Sequence, residues 1–154
     1  MQLVRDNLLD SVLLTQVIPV NCTGVAGKGL ALAWKKRYPG LFQEYRDMCS
    51  PPDRTLFLGK PQQIIRDYGT FVMFPTKDHW SNQSDYLWIQ RGLARLAKHY
   101  LFGDSFIESP WIKPTAMAFP PLGCGCGGLQ NSDVLPLIQD FENITNIPCT
   151  IYSL

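Results

Sequence analysis

The sequence predicts an α/β sandwich: a mainly parallel sheet covered by helices on both faces, in a single domain. Three observations lead there. Apolar runs of strand length alternate with amphipathic runs of helix length to the end of the chain. Two glycine-rich loops each follow an apolar strand and run into a helix. A length of 154 residues, with 45% hydrophobic and 18% charged content, suits one globular domain able to bury its own core.

In chain order, residues 1–5 (MQLVR) and 16–21 (QVIPVN) read as short buried strands with a helical turn, LLDSVLL, between them. The loop TGVAGKG then enters LALAWKKRY, where Leu30, Trp34 and Lys35 recur at helical spacing and Pro39 stops the helix at Tyr38. A second helix is expected over 40–49, broken by the Pro51-Pro52 pair. Residues 55–58 and 62–66 read as strands joined at a Gly59-Lys60-Pro61 turn. TFVMFPT (70–76) is a continuous apolar run, as in a strand buried on both faces. Ser84 or Asp85 caps the next helix, in which Leu87, Trp88, Arg91, Leu93, Leu96 and Tyr100 recur at a period near 3.6. After a loop holding Pro110 and Pro114, TAMAFPPL reads as another central strand opening into GCGCGG. Asn131 or Ser132 caps a last helix, DVLPLIQDF, and CTIYSL closes the sheet. With no repeat, low-complexity tract or linker, residues 1–154 are expected to form one domain.

Composition narrows the function. A formal charge of +1 argues against a strong electrostatic grip on duplex DNA, so nucleic-acid contact should be local, at a site. No apolar run is long enough for a signal peptide or a membrane span, and no membrane partner is expected. Five scattered cysteines, an odd count, read as reduced thiols, which places the protein in the cytoplasm.

Ligands of open parallel sheets bind beyond the carboxyl ends of the strands. Backbone N–H groups at a helix N-terminus suit phosphate oxygens, and glycine lets the backbone approach them closely. Two such loops suit a diphosphate better than one phosphate. Neither Gly24–Gly29 nor Gly123–Gly128 is a Walker A loop or a G-x-G-x-x-G fingerprint. The plain alternative is that these glycines only make turns.

The string VNCTGVAGKGLALAWKKRYP resembles the first ligand loop of macrodomains. FPTKDHW and PPLGCGCGGLQNSDVLPLI resemble the second and third conserved blocks of one group within them. That group contains the DarG-type DNA ADP-ribosyl glycohydrolases and the terminal ADP-ribose protein glycohydrolase. RDNLL is a weaker match to the turn near the adenine. Three blocks in order, reaching from residue 4 to about 140, make the resemblance specific. It implies a three-layer α/β/α sandwich with a mixed, mainly parallel sheet, and ADP-ribose as the ligand.

The resemblance also implies roles for particular residues. Asn7 and Leu8 would face the adenine. Gly27, Lys28, Gly29 and Leu30 would face the diphosphate, together with Gly123, Cys124, Gly125, Cys126, Gly127, Gly128 and Leu129. Asn21 would contact the distal ribose, Thr76 would line the ligand, and Lys77 would act at the scissile bond. From residue type alone, the alternative for Asn21 is a turn cap that only orders its loop. By residue type alone Lys77 reads first as a solvated charge at a strand end, and the resemblance reverses that order.

Cleaving a glycosidic bond builds positive charge at the anomeric carbon and negative charge on the leaving group. Ordinary glycosidases meet this with two carboxylates. Here the glycine loops hold no acid, and the nearest are Asp78, Asp85 and Asp133. A neutral Lys77 could attack as a nucleophile, or its ammonium could stabilise or protonate the departing group; a nearby diphosphate favours the cation. The protein glycohydrolase pairs its lysine with an Asp in the second loop, and GCGCGGLQ lacks one, which points to the DNA-directed branch.

Other residues carry weaker signals. Cys124 and Cys126 form a C-x-C without a second Cys/His pair and read as loop fillers, so no metal is expected. Trp80 could stack on a base or the adenine, or be partial core. Lys28 could neutralise phosphate or be solvated, Lys35-Lys36-Arg37 reads as a solvated helix face, and His99 as a surface residue.

The expected function is release of ADP-ribose from an ADP-ribosylated nucleobase, in single-stranded DNA before protein, by a monomer that needs no cofactor. The alternatives are an ADP-ribose 1''-phosphate phosphatase, a protein de-ADP-ribosylase and a non-catalytic ADP-ribose reader.

Overall fold

A computed structural model describes residues 1–103 and 111–154. Six strands form one sheet: β1 (Gln2–Arg5), β2 (Thr15–Asn21), β3 (Gln62–Arg66), β4 (Gly69–Lys77), β5 (Met117–Phe119) and β6 (Cys149–Ser153). Their order is β1-β6-β5-β2-β4-β3, and every neighbouring pair is parallel except β3 with β4. The helices are α1 (Gly29–Arg37), α2 (Pro39–Met48), α3 (Tyr86–Phe102) and α4 (Asn131–Thr145). A short 3-10 turn, Leu8–Asp10, is all that forms of the helical LLDSVLL.

The sheet's alternation explains the unbroken apolar run in β4. Phe71 and Met73 point into a core with Trp34 of α1 and Tyr45 of α2, while Val72 and Phe74 point into a second core with Leu93 of α3 and Ile138 of α4. The result is three layers, as expected. Trp34, at 1% exposure, meets Phe71 edge-on at 5.8 Å. On the other face α3 lies close to β4 because Gly92 has no side chain: a Cβ there would sit 2.4 Å from Phe74 Cζ.

Several elements differ from expectation. Residues 55–58 form no strand; Phe57 makes a single bridge to Lys60, and β3 pairs instead with β4 across the Asp67-Tyr68 turn, which buries Ile64. β1 is an edge strand with Leu3 at 63% exposure, not a buried one. β5 is only three residues long, because Pro120 and Pro121 bring no N–H to the ladder. α2 starts at Pro39, whose fixed φ suits the first helical position.

Asp85, not Ser84, caps α3, accepting from Leu87 N at 2.8 Å. The buried stripe of α3 runs through Ile89, Leu93, Leu96 and Tyr100, with Leu87 outside it. His99 is buried, its ring stacked on Trp111 at 4.7 Å. Neither Asn131 nor Ser132 caps α4. The cap position is Gln130, whose N–H bonds the Tyr86 hydroxyl at 3.1 Å, and that hydroxyl donates to Asp133 at 3.0 Å. Pro110 lies outside the described residues. No helix among the described residues is long and apolar enough to cross a membrane.

Candidate functional site

β5, β2 and β4 are neighbours and end at the same edge of the sheet. The two glycine loops, after β2 and β5, therefore lie side by side, and the segment after β4 joins them. Asn21 and Lys77 are partners in the register of β2 and β4, next to a shift in the pairing after Val20. The N–H of Cys22 is shared between the carbonyls of Lys77 and Asp78, at 3.1 and 3.2 Å. The residues expected at the distal ribose and at the scissile bond thus leave the sheet together.

Asn21 is held firmly. Its Nδ2 donates to Val25 O at 2.7 Å, while Oδ1 accepts from Thr23 N at 3.1 Å, Thr23 Oγ1 at 2.9 Å and the Tyr45 hydroxyl at 2.9 Å. These are the contacts of a loop-ordering Asn. One Nδ2 hydrogen satisfies Val25, and the amide carries a second. Tyr45 is fully buried and its hydroxyl also reaches Asn21 O at 2.7 Å. Burial raises its pKa, so the phenol remains a donor.

In the first loop, Gly24 takes a positive φ of 77° while Arg46 fills the space beside its Cα. Gly27 is exposed with nothing near its missing side chain. Lys28 holds the cap position of α1 without a side-chain cap bond, leaving the first N–H groups of a nine-residue helix directed at this edge. Leu30 is half-buried against the core on the α1/α2 face.

The second loop is closed on itself by Leu129 N to Gly123 O at 2.9 Å and Gly128 N to Gly125 O at 3.2 Å. Gly127 is an internal necessity: a Cβ would sit 2.3 Å from Ser84 Oγ and 2.4 Å from Gly123 O. Gly125 is exposed and open. Cys124 is half-buried, with its thiol pKa raised by burial, and Cys126 is exposed. Among the described residues no group of three or more His, Cys, Asp or Glu is placed to hold a metal.

Lys77 is half-buried, with Nζ 3.3 Å from Trp80 O, and it makes no ion pair among the described residues. Each of the three nearby acids has another partner, although Asp78 and Asp85 also line the cleft beside Lys77. Asp85 caps α3, Asp133 takes the Tyr86 hydroxyl, and Asp78 faces Arg54 at 4.0 Å. The thiol beneath the first loop is no nucleophile, because burial pushes the Cys22 pKa up to about 11. Lys77 and buried Thr76 open into a cleft of about 600 Å³ with Ser81, Asn82, Gln83 and Trp88. A second cleft, about 660 Å³, lies at the other edge of the sheet around Met1, Ala116 and Asn146, away from the glycine loops. Trp80 is 57% exposed, beside His79 rather than in the core.

No protein-family model matches the chain. The macrodomain of Mycobacterium tuberculosis DarG superposes with a TM-score of 0.82 at 31% identity, covering 99% of this chain and 97% of that one. The chain is a macrodomain of the DarG type. Thermosipho africanus DarTG, solved in complex with ADP-ribose, also gives a TM-score of 0.82, at 32% identity over 97% of this macrodomain and 40% of that chain. The DNA ADP-ribosyl glycohydrolase of Mycobacterium tuberculosis is 36% identical over 140 residues, which cover 86% of this chain and 36% of that protein. This macrodomain thus spans about two fifths of these two longer proteins.

The 3-10 turn after β1 is placed less as expected. Asn7 Oδ1 is spent on Leu9 N at 3.1 Å, and the Leu8 side chain, at 3% exposure, belongs to the core with Val20 and Ala26. Two residues of the macrodomain's edge carry no sequence signal for a place in the site, although Ser84 reads as a candidate helix cap. Tyr45 is one more apolar position of amphipathic α2. Ser84 links the segments after β4 and β5 through its N–H to Gly127 O at 2.9 Å, and its buried Oγ has no partner among the described residues.

Proposed function

We propose that this macrodomain binds ADP-ribose across its two glycine loops and hydrolyses the bond between ADP-ribose and a DNA nucleobase. The observation that carries the reading is the juxtaposition of Asn21 and Lys77 at the ends of adjacent strands, beside both loops. The relatives' names, DNA ADP-ribosyl glycohydrolase and a complex with ADP-ribose, support it.

In this reading residues 1–154 act as one domain, a monomer. The diphosphate lies against Gly27, Lys28, Gly29 and Leu30 on one side and the backbone of Gly123 through Leu129 on the other. Asn7 borders the adenine, with Leu8 packed beneath it. Asn21 directs its second amide hydrogen to a hydroxyl of the distal ribose, and Thr76 lines the reacting end.

Lys77 acts as a cation. As the glycosidic bond breaks, its electron pair leaves with the base, and the ammonium stabilises that charge or supplies the proton. Water adds to the anomeric carbon and returns a proton to the solution or to Lys77. A pairing carboxylate of the kind used by the protein glycohydrolase is absent from GCGCGGLQ, which favours a nucleobase over a protein carboxylate as acceptor. A formal charge of +1 favours a locally held single strand over duplex, and five free cysteines fit a reducing cytoplasm.

The test is parallel incubation with ADP-ribosylated single-stranded DNA and ADP-ribosylated protein, following release of ADP-ribose. Release from DNA alone or in large excess is expected. Release from protein alone would replace the acceptor, and binding without release from either would leave a reader.

A further inference from the structure

Beyond Lys77, toward β3, the sheet edge continues into a surface with its own chemistry. β3 runs antiparallel to β4, pairing Gln62 with Met73 and Arg66 with Gly69. Its leading segment, residues 54–61, is therefore delivered to the edge where the parallel strands end. That segment folds around the Phe57–Lys60 bridge and lies against α3, where a Cβ on Gly59 would touch the Trp88 ring at 3.4 Å. The cleft holding Lys77 is the gap between this segment, at Leu58, and the residues leading into α3.

We infer that this cleft is the acceptor subsite: it takes the leaving nucleobase, and the strand on either side runs over Lys60 and Arg91. The inference rests on the proposed hydrolysis, since it places the leaving group beside Lys77, between the segment before β3 and the residues that join α3 to the second loop.

The charges are sorted as a nucleotide chain requires. Inside the cleft, Ser81, Asn82 and Gln83 offer neutral donors and acceptors for a base edge, and Trp88 offers an apolar wall. Asp78 and Asp85 also line it, which suits a neutral base and disfavours a phosphate there. The cations stand at the rim. Three of the four cation–ring contacts among the described residues fall in this one patch: Arg54 at 4.2 Å and Lys60 at 5.6 Å from the Phe57 ring, and Arg91 at 5.2 Å from Trp88. Arg54 is offset by Asp78 at 4.0 Å. Lys60 and Arg91 make no ion pair among the described residues and are available to phosphates. A recess that accepts one base edge between aromatic and amide groups admits an unstacked base, and so a single strand.

The experiment compares kcat/KM on an ADP-ribosylated single-stranded oligonucleotide with that on the ADP-ribosylated nucleoside alone, across a salt series. The parent is expected to prefer the oligonucleotide, with the preference fading as salt rises. In a Lys60→Ala/Arg91→Ala double variant the oligonucleotide-to-nucleoside ratio should fall about tenfold at low salt. The log–log salt slope should become shallower by about 1.4, two single-strand phosphate contacts at about 0.7 each. Gln83→Ala should lower kcat/KM on both substrates, because it removes a contact to the base itself.

A double variant that keeps the parental ratio and slope overturns the subsite, as does a parent that cleaves nucleoside and oligonucleotide equally. A parent that releases nothing from either substrate overturns the hydrolase reading beneath it, and the subsite with it.

Discussion

Single added methyl groups separate glycines that the second loop needs for itself from glycines left open at the edge. At Gly127, alanine would place Cβ 2.3 Å from Ser84 Oγ and 2.4 Å from a backbone oxygen, so the loop must move. Overpacking of this kind costs about 1–3 kcal/mol, partly offset by the roughly 0.4–1 kcal/mol that alanine removes from unfolded-chain freedom. At about 2–4 °C per kcal/mol for a chain of this length, Gly127→Ala should melt a few degrees below the parent. At Gly27 and Gly125 nothing lies within 4 Å of the added atom and φ is not positive, so alanine should leave the melting temperature unchanged or slightly raised. In the proposed site the same two methyl groups would stand where the diphosphate approaches the backbone. Each should weaken ADP-ribose binding about tenfold, or about 1.4 kcal/mol. Thermal melting and calorimetry read the two effects apart. A Gly127→Ala protein that melts with the parent would refute the packing argument. Parental affinity in both Gly27→Ala and Gly125→Ala would refute the placement of the diphosphate.

Three further outcomes are expected. Tyr45→Phe removes the hydroxyl that holds Asn21 at 2.7 and 2.9 Å and should cost about 1 kcal/mol of stability. It should weaken ADP-ribose more than ADP, which lacks the distal ribose; equal weakening in calorimetry would mean the phenol does not orient Asn21. Cys124→Ser/Cys126→Ser should retain ADP-ribose release, and chelators should not alter the parent; loss on chelation restored by zinc would make the C-x-C a metal site. Burial holds the Cys22 thiol protonated to about 11, whereas the unfolded chain releases that proton near 9.0. This thiol's contribution is therefore constant below about pH 9 and falls as pH rises from about 9 to 11. Cys22→Ala should flatten that slope in alkaline denaturant titrations, and an unchanged slope would assign it to other groups.

The layers and the site's edge were legible because periodicity and loop chemistry are local. TFVMFPT reads as doubly buried since its alternate residues face two helical layers, and each glycine loop announces a strand end. The elements that were misread depend on distant partners. Residues 55–58 have strand composition, yet β3 finds β4 instead. His99 looks like a helix surface until Trp111 stacks on it, and Asn131 looks like a cap although Tyr86 serves that end of α4. Within the site, nothing local distinguishes Tyr45 from an ordinary core aromatic, nor shows that Gly127 is claimed by Ser84.

The central claim is that Lys77 acts on the bond rather than on the ligand. Single-turnover release of ADP-ribose from a modified oligonucleotide by Lys77→Ala, set against its affinity for free ADP-ribose, tests it most directly. The rate is predicted to fall at least about a hundredfold, the scale of one positioned acid or charge, while affinity changes by roughly 1 kcal/mol or less. A variant that cleaves as fast as the parent would contradict the account.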